Sequence, residues 1–171
     1  MKYSNGGLKT KGFLLDTNIL LEILLGQEKK ELAKKVIRKL MKNPYSLHIS
    51  DFTLHSVGIK FWKIPKTTER SKLIGEKKKK WGEFLDNTFP GTDIRFNIMV
   101  ISLSKKQLYY VGEVIEKYNL DFDDAYQVTV AMILDLDIIS EDSDLIRLRH
   151  INPPPVRVYT LGEMAIHLGI P

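Results

Sequence analysis

Residues 12–18 of the chain read Gly-Phe-Leu-Leu-Asp-Thr-Asn, and this stretch decides the fold. Its short apolar run predicts a buried strand, because strands covered on both faces lack a polar alternation. Asp16-Thr17-Asn18 offers N-cap residues, which predicts a helix from about Ile19 to Leu25, closed by Gly26. A strand that leads directly into a helix is the repeating unit of a parallel α/β sheet.

The rest of the chain continues this alternation. The sequence patterns predict further strands over 46–49, 94–101, 138–140 and 156–160, and further helices over 28–41, 51–62, 72–85, 105–118, 122–134 and 161–168. We therefore expect an α/β domain over 12–171 with a mostly parallel sheet covered on both faces, a flexible basic tail over 1–11 and a basic extension around 60–82. Such sheets place their functional sites beyond the carboxyl ends of the strands.

The composition excludes several classes of protein. The chain has 171 residues, of which 43% are hydrophobic and 27% charged, as in an ordinary soluble domain. It has no cysteine, which excludes disulfides, thiolate zinc sites and a catalytic thiol. No apolar run approaches the roughly 20 residues that span a bilayer. We expect a cytoplasmic protein without a membrane segment.

Charge is distributed unevenly along the chain, and the net charge of +5 conceals this. Residues 60–80 hold nine Lys or Arg and two Glu, whereas residues 119–144 hold eight Asp or Glu and no Lys or Arg. The basic block either neutralises the phosphates of a nucleic acid, with Lys77, Lys78, Lys79 and Lys80 as candidate contacts, or is a solvated face. Phe61, Trp62 and Trp81 beside it either stack on bases or pack internally.

Four aspartates follow predicted strands or begin a predicted helix. Asp16 ends the first strand, and Asp142 and Asp144 follow the strand over 138–140. Asp124 shares the apolar face of its helix with Val128, so it points toward the core. Taken singly, Asp16 also suits a helix cap and the Asp142–Asp144 segment a surface turn.

Together these carboxylates predict a metal site. If all converge in one cleft, their mutual repulsion requires a neutralising cation. Hard oxygen ligands, without thiolates or clustered imidazoles, favour Mg²⁺ or Mn²⁺ over zinc.

The chain resembles the PIN-domain ribonucleases in three ordered segments: 13–18 (Phe-Leu-Leu-Asp-Thr-Asn), 124–125 (Asp-Ala) and 140–145 (Ser-Glu-Asp-Ser-Asp-Leu). Many members of that family are the toxins of toxin–antitoxin pairs, the VapC type. The resemblance implies a three-layer α/β/α sandwich and Mg²⁺- or Mn²⁺-dependent hydrolysis of RNA. It also implies an antitoxin partner and a homodimer.

The resemblance carries the family's roles to particular residues. It implies that Asp16, Asp124 and Asp142 are catalytic, and that these three and Asp144 bind the metal. It further implies a hydroxyl near the metal, supplied by Thr17 or Ser140.

One position departs from the family pattern. Where the family has a glutamate in the helix after the second strand, this chain has Ser56, with His55 beside it. Either His55 or Asp51 takes the place of that glutamate, or the site works with fewer ligands, or activity is weakened or lost. The alternative function is therefore a PIN-like RNA-binding or regulatory domain without cleavage.

A phosphotransfer fold with Asp16 as nucleophile fits less well. The 16–18 segment lacks the second aspartate of such phosphatases, and no lysine follows the late strand, where a receiver domain needs one. Signatures of P-loop, Rossmann and serine-hydrolase proteins are absent from the sequence.

Overall fold

The structure of the protein, a computed structural model, describes residues 12–42, 44–63, 69–88 and 98–171, with the side chains of 86–88 left out. The tail predicted over 1–11 and the first part, 94–97, of the strand predicted over 94–101 lie outside these residues.

Five strands form a single sheet in the order β3-β2-β1-β4-β5, and every described pairing is parallel. Their bounds are β1 (Gly12–Leu15), β2 (Ser46–Ser50), β3 (Ile98–Ile101), β4 (Asp137–Ile139) and β5 (Val158–Tyr159). The central strand β1 pairs Phe13 with Leu47 on one side and with Asp137 on the other. The predicted α/β fold with a parallel central sheet is confirmed.

The seven predicted helices lie close to their predicted positions, and the short helix over 143–147 is an additional one that the sequence patterns did not predict. Within the described residues they are α1 (Thr17–Leu25), α2 (Lys30–Met41), α3 (Asp51–Trp62), α4 (Arg70–Thr88), α5 (Lys105–Tyr118), α6 (Phe122–Leu134), α7 (Ser143–Arg147) and α8 (Leu161–His167). Among them, no helix is both long and apolar enough to cross a membrane.

The sheet separates two apolar cores, which explains why β1 is apolar throughout. Phe13 and Leu15 pack into the core on the side of α1, α2, α3 and α8, whereas Leu14 packs into the core on the side of α5 and α6. All three side chains are fully buried. Successive residues of a strand face opposite sides of the sheet, so a strand between two helical layers needs an apolar residue at each position.

Local signals fix where the helices begin and end. Ser104 and Gln107 form the predicted capping box at the start of α5, and the Ser50 side chain caps α3 by accepting from Thr53 N at 2.8 Å. Gly26 ends α1 with a φ of 69°, a left-handed conformation that glycine adopts without steric cost.

The basic extension, helix α4, is joined to α3 by aromatic rings. Phe61 stacks on Trp81 with ring centroids 5.4 Å apart, and Trp81 in turn contacts Phe84 at 5.6 Å. The Lys77 ammonium donates to the carbonyl oxygens of Phe61 and Lys63 at the end of α3 and lies over the Phe61 ring. These aromatic residues pack inside the domain.

Gly12, the first residue of β1, leaves no room for a side chain against β2. A Cβ added at Gly12 would lie 2.6 Å from the carbonyl oxygen of Ser46, its partner in the register. We predict that Gly12→Ala destabilises the protein by about 1–3 kcal/mol, because backbone must move to relieve the overlap. Chemical denaturation would measure the loss.

Gly75→Ala is the matched control. Gly75 lies within α4, and a Cβ there meets nothing within 4 Å. Alanine is the better helix former, so stability should rise by about 0.5–1 kcal/mol. Equal effects of the two substitutions would contradict the close packing of β1 on β2.

Candidate metal centre

The predicted site residues gather at the carboxyl edge of the sheet. Asp16 directly follows β1, Ser140 follows β4, and Asp142 caps the short helix α7. Asp124 lies in the first turn of α6. Parallel strands bring these segments to one edge although they are distant in sequence.

Three carboxylates meet at one point. Asp124, Asp142 and Asp144 each offer an oxygen, and the three oxygens all lie within 4.8 Å of one another. Asp124 is buried, with 8% of its surface exposed, whereas Asp142 is partly buried and Asp144 exposed. Oxygen ligands from several carboxylates are what Mg²⁺ and Mn²⁺ accept, so the donor set fits either ion.

Helix starts hold two of these ligands in place. The Asp142 side chain accepts from Asp144 N at 2.8 Å, and the Asp121 side chain accepts from Asp124 N at 3.1 Å. Asp142 and Asp121 are the N-caps of α7 and α6, and the dipole at the start of a helix favours carboxylates nearby. Helix capping therefore fixes the backbone from which Asp124 and Asp144 project.

Asp144 also pairs with a cation. Its Oδ1 lies 3.1 Å from Arg147 Nε, one turn along α7. The Arg147 guanidinium donates in addition to the carbonyl oxygens of Tyr118 and Asn119, which end α5. The side of the cluster open to solvent is thus partly neutralised by the chain itself.

Asp16 borders this cluster but is held differently. Its Oδ1 accepts from Thr17 N and from Gln127 Nε2, both at 2.5 Å, and its Oδ2 accepts from Ser140 Oγ at 2.6 Å. Asp16 does not belong to the group of three whose oxygens lie within 4.8 Å. Both of its oxygens are already hydrogen-bonded.

Ser140 connects Asp16 to the loop that carries Asp142. Its Oγ donates to Asp16 and accepts from Asp142 N at 2.9 Å, and Ser140 itself is fully buried. Thr17, the other candidate hydroxyl, contacts Asp16 through its backbone nitrogen.

Asn18, Gln127 and Glu141 also build the site, although the motifs did not single them out. Asn18 Oδ1 accepts from Glu141 N at 3.3 Å, and Glu141 pairs with Lys29 and accepts from Leu161 N at 2.7 Å. The sequence does contain a feature that could have identified Gln127 as a site residue. It follows Asp124 by three residues on one helix and interrupts an apolar run.

The region of the missing glutamate brings no further carboxylate into the cluster. Asp51 Oδ1 accepts from Phe52 N and from the Tyr126 hydroxyl, both at 2.8 Å. His55 is exposed and Ser56 partly buried on α3. Within the described residues, neither Asp51 nor His55 joins the group of three aspartates.

The accumulated negative charge changes proton affinity at the site. Burial raises the pKa of the Asp124 carboxyl to about 7, with a further contribution from the charge of Asp142 beside it. Burial also raises the pKa of Asp16, against the opposing hydrogen bonds from Ser140 and Gln127. A bound cation would reverse this effect, because it stabilises the ionised carboxylates.

Comparison with known protein families identifies the class of protein. The family model described as PIN domain matches residues 13–151, which is more than half of the chain. The chain therefore belongs to the PIN domain family. Proteins of this family are generally nucleases and generally use divalent metal ions. None of the curated protein sequences compared with the chain matches it significantly.

Solved structures with the same fold include toxin–antitoxin proteins. A chain of VapBC2 from Rickettsia felis, solved with a promoter DNA fragment, is 18% identical with a TM-score of 0.60, over 86% of this chain and 97% of that chain. FitAcB from Neisseria gonorrhoeae is 17% identical with a TM-score of 0.58, over 88% and 98%. PAE2754 from Pyrobaculum aerophilum is 17% identical with a TM-score of 0.57, over 94% and 98%. At such identities the likeness shows the fold.

The raised pKa of Asp124 predicts a pH-dependent stability in EDTA. The folded state holds this proton up to about pH 7, whereas the unfolded chain releases it near its ordinary pKa of 3.8. Unfolding therefore becomes more favourable as pH rises through this window, and the free energy of unfolding should fall by about 1–3 kcal/mol. Urea denaturation at about pH 5 and about pH 8 measures this change.

Asp124→Asn should remove most of that pH dependence, because the amide has no proton to release. Asp123→Asn is the comparison variant: Asp123 is the exposed neighbour on the same helix turn, and although burial raises its pKa too, its substitution should remove less of the pH dependence. A variant at position 124 that keeps the full pH dependence would show that Asp124 does not titrate in this range.

Proposed function

We propose that the protein is a Mg²⁺- or Mn²⁺-dependent endoribonuclease. The observation that carries this proposal is the convergence of Asp124, Asp142 and Asp144 within 4.8 Å, next to a buried Asp16. Membership of a family that generally cleaves nucleic acids with divalent metals supports it. RNA as the substrate is our proposal.

In this proposal Asp124, Asp142 and Asp144 hold the cation, and the hydrogen-bonded carboxylate of Asp16 forms the adjacent side of the site. A divalent cation in such a site polarises a phosphate oxygen and lowers the pKa of water. Asp124 releases its proton as the cation binds, so binding should be accompanied by proton release. Ser140, through its hydrogen bonds to Asp16 and Asp142 N, keeps these two segments in register. Direct attack of water on the phosphodiester gives a 5′-phosphate and a 3′-hydroxyl.

The alternative is a PIN domain that binds RNA without cleaving it. Ser56 replaces the usual glutamate, and Asp51 is engaged by Tyr126 outside the aspartate group. A site with one carboxylate fewer binds a cation less tightly, which favours this alternative. His55, exposed on α3, stays a candidate to supplement the ligands.

Lysines of α4 are the proposed RNA contacts. Lys78, Lys79 and Lys80 are exposed, so they are available to phosphates. Lys77 differs, because its ammonium already caps α3 and lies over Phe61. We therefore assign Lys77 mainly to holding α4 in place and the other three to the substrate.

An antitoxin is the proposed protein partner, as in the toxin–antitoxin complexes that share the fold. A groove of about 380 Å³ between α1, α2 and α4 suits one. Its apolar lining includes Leu20, Ile23, Leu24, Leu25, Ile37, Met41 and Phe84, and its charged lining is mainly basic, with Lys30, Lys34, Arg38 and Lys80 beside Glu83. An amphipathic helix with acidic residues beside its apolar face fits such a groove. The homodimer and the cytoplasmic location stay predictions.

Metal-dependent cleavage is the first test of function. We predict that the protein cleaves a mixed RNA pool with Mn²⁺ or Mg²⁺ and not with EDTA. Asp124→Asn removes a ligand itself and should lower the cleavage rate by more than about 100-fold. Loss of a group that only hydrogen-bonds a metal ligand typically costs about 10–100-fold. Gel analysis of labelled RNA measures both.

Asp123→Asn is the control for charge on α6 and should retain cleavage. RNA binding without cleavage at any metal concentration would refute the nuclease and establish the alternative. We do not expect loss of cleavage in Asp124→Asn to result from misfolding, because the substitution removes a buried charge.

The groove predicts a charge-dependent partner. We expect the product of a short reading frame next to the gene to co-purify with this chain. Lys34→Glu combined with Arg38→Glu should weaken the complex about tenfold or more, because the groove then repels an acidic helix. Binding measured at low and at high salt should show the loss most clearly at low salt.

Lys78→Glu is the matched control, since Lys78 is exposed on α4 and does not line the groove. A complex that is equally weakened by Lys78→Glu, or unaffected by the groove substitutions, would place the partner elsewhere.

A further inference from the structure

Gln127 occupies an unusual position for an amide side chain. It lies within α6, with 2% of its surface exposed, and its Nε2 donates to Asp16 Oδ1 at 2.5 Å. The two residues are 111 positions apart in sequence. Asp16 Oδ1 accepts this hydrogen bond, so the amide presents its nitrogen to the carboxyl group.

This orientation leaves the other end of the amide without a partner. Gln127 Oε1 is buried and accepts no hydrogen bond within the part of the chain that the structure describes. An unsatisfied buried acceptor costs about 1–3 kcal/mol. An apolar side chain of similar length would avoid this cost but would also remove a donor from the buried Asp16, so the two effects of Gln127 on stability oppose each other.

A chain of contacts leads from Gln127 to the proposed ligands. Gln127 and Thr17 N hold Asp16 Oδ1, Ser140 Oγ holds Asp16 Oδ2, and the same Oγ accepts from Asp142 N. Gln127 also lies one turn after Asp124 on the same helix. One turn of α6 thus supplies the ligand Asp124 and, through Gln127, fixes Asp16. Asp16 in turn borders the loop that supplies the other two ligands.

We infer that Gln127 is a positioning residue of the metal centre: its amide orients Asp16, and through Ser140 it sets the loop that carries Asp142 and Asp144. The inference rests on the proposed metal-binding function. Groups that orient metal-binding residues typically contribute 10–100-fold in metal affinity. We therefore assign to Gln127 a role in affinity for the cation and little role in the stability of the metal-free protein.

Gln127→Met tests this assignment, because methionine fills a similar volume without a donor or an unsatisfied acceptor. Calorimetric titration of the full chain with Mn²⁺ alone should show affinity lowered up to about tenfold, the low end of the range for direct partners of a ligand, because Gln127 acts through Asp16 and Ser140. The thermal midpoint in EDTA should change little.

Thr129→Val is the matched control. Thr129 is buried two residues further along α6, and its hydroxyl donates to the Ala125 carbonyl at 2.7 Å rather than to the site. Its substitution should leave Mn²⁺ affinity unchanged.

The outcomes separate this inference from the proposed function. Mn²⁺ binding that is weakened by Gln127→Met and not by Thr129→Val supports the positioning role. Wild-type binding that Gln127→Met leaves unchanged overturns the positioning role alone, as does a loss confined to stability in EDTA. Wild-type protein that binds no Mn²⁺ overturns the metal centre itself.

Discussion

Repulsion between carboxylates at one edge of the sheet is the constraint on which the site depends. Asp124 and Asp16 are buried there, and Asp142 lies beside them. Burial alone penalises an ionised carboxylate, and a second negative charge adds to the penalty. The chain compensates in two ways. Three hydrogen-bond donors surround Asp16, and the pKa of Asp124 is raised to about 7, so that this carboxyl can stay protonated when no cation is bound. A bound cation would neutralise the negative charge that these hydrogen bonds do not compensate.

Much of the fold was predictable, because its signals are local in sequence. The apolar run before Asp16, the Ser104–Gln107 capping box and Gly26 each define an element through neighbours a few residues away. The inward direction of Asp124 followed in the same way from helical periodicity, and the structure buries it.

The remaining features of the site depend on contacts that no local pattern encodes. The amide of Gln127 meets Asp16, and the hydroxyl of Tyr126 meets Asp51, across the packed layers. Asp51 Oδ1 is engaged by Tyr126 and Phe52 N, and Asp51 lies outside the group of three aspartates. Lys77 is similar: the sequence predicts either a nucleic-acid contact or a solvated cation, whereas the structure places its ammonium on the end of α3.

The position of β1 in the middle of the sheet has a consequence for synthesis of the chain. Asp16 is made before Ser140, its hydrogen-bonding partner, which follows 124 residues later. Long-range pairings of this kind form slowly, and domains fold as units while they emerge from the ribosome. A nascent chain that ends before β4 therefore lacks one neighbour of β1 and two of the three clustered aspartates. The complete centre is absent from every incomplete translation product that stops short of this point, so its chemistry requires synthesis through β4 and the start of α7.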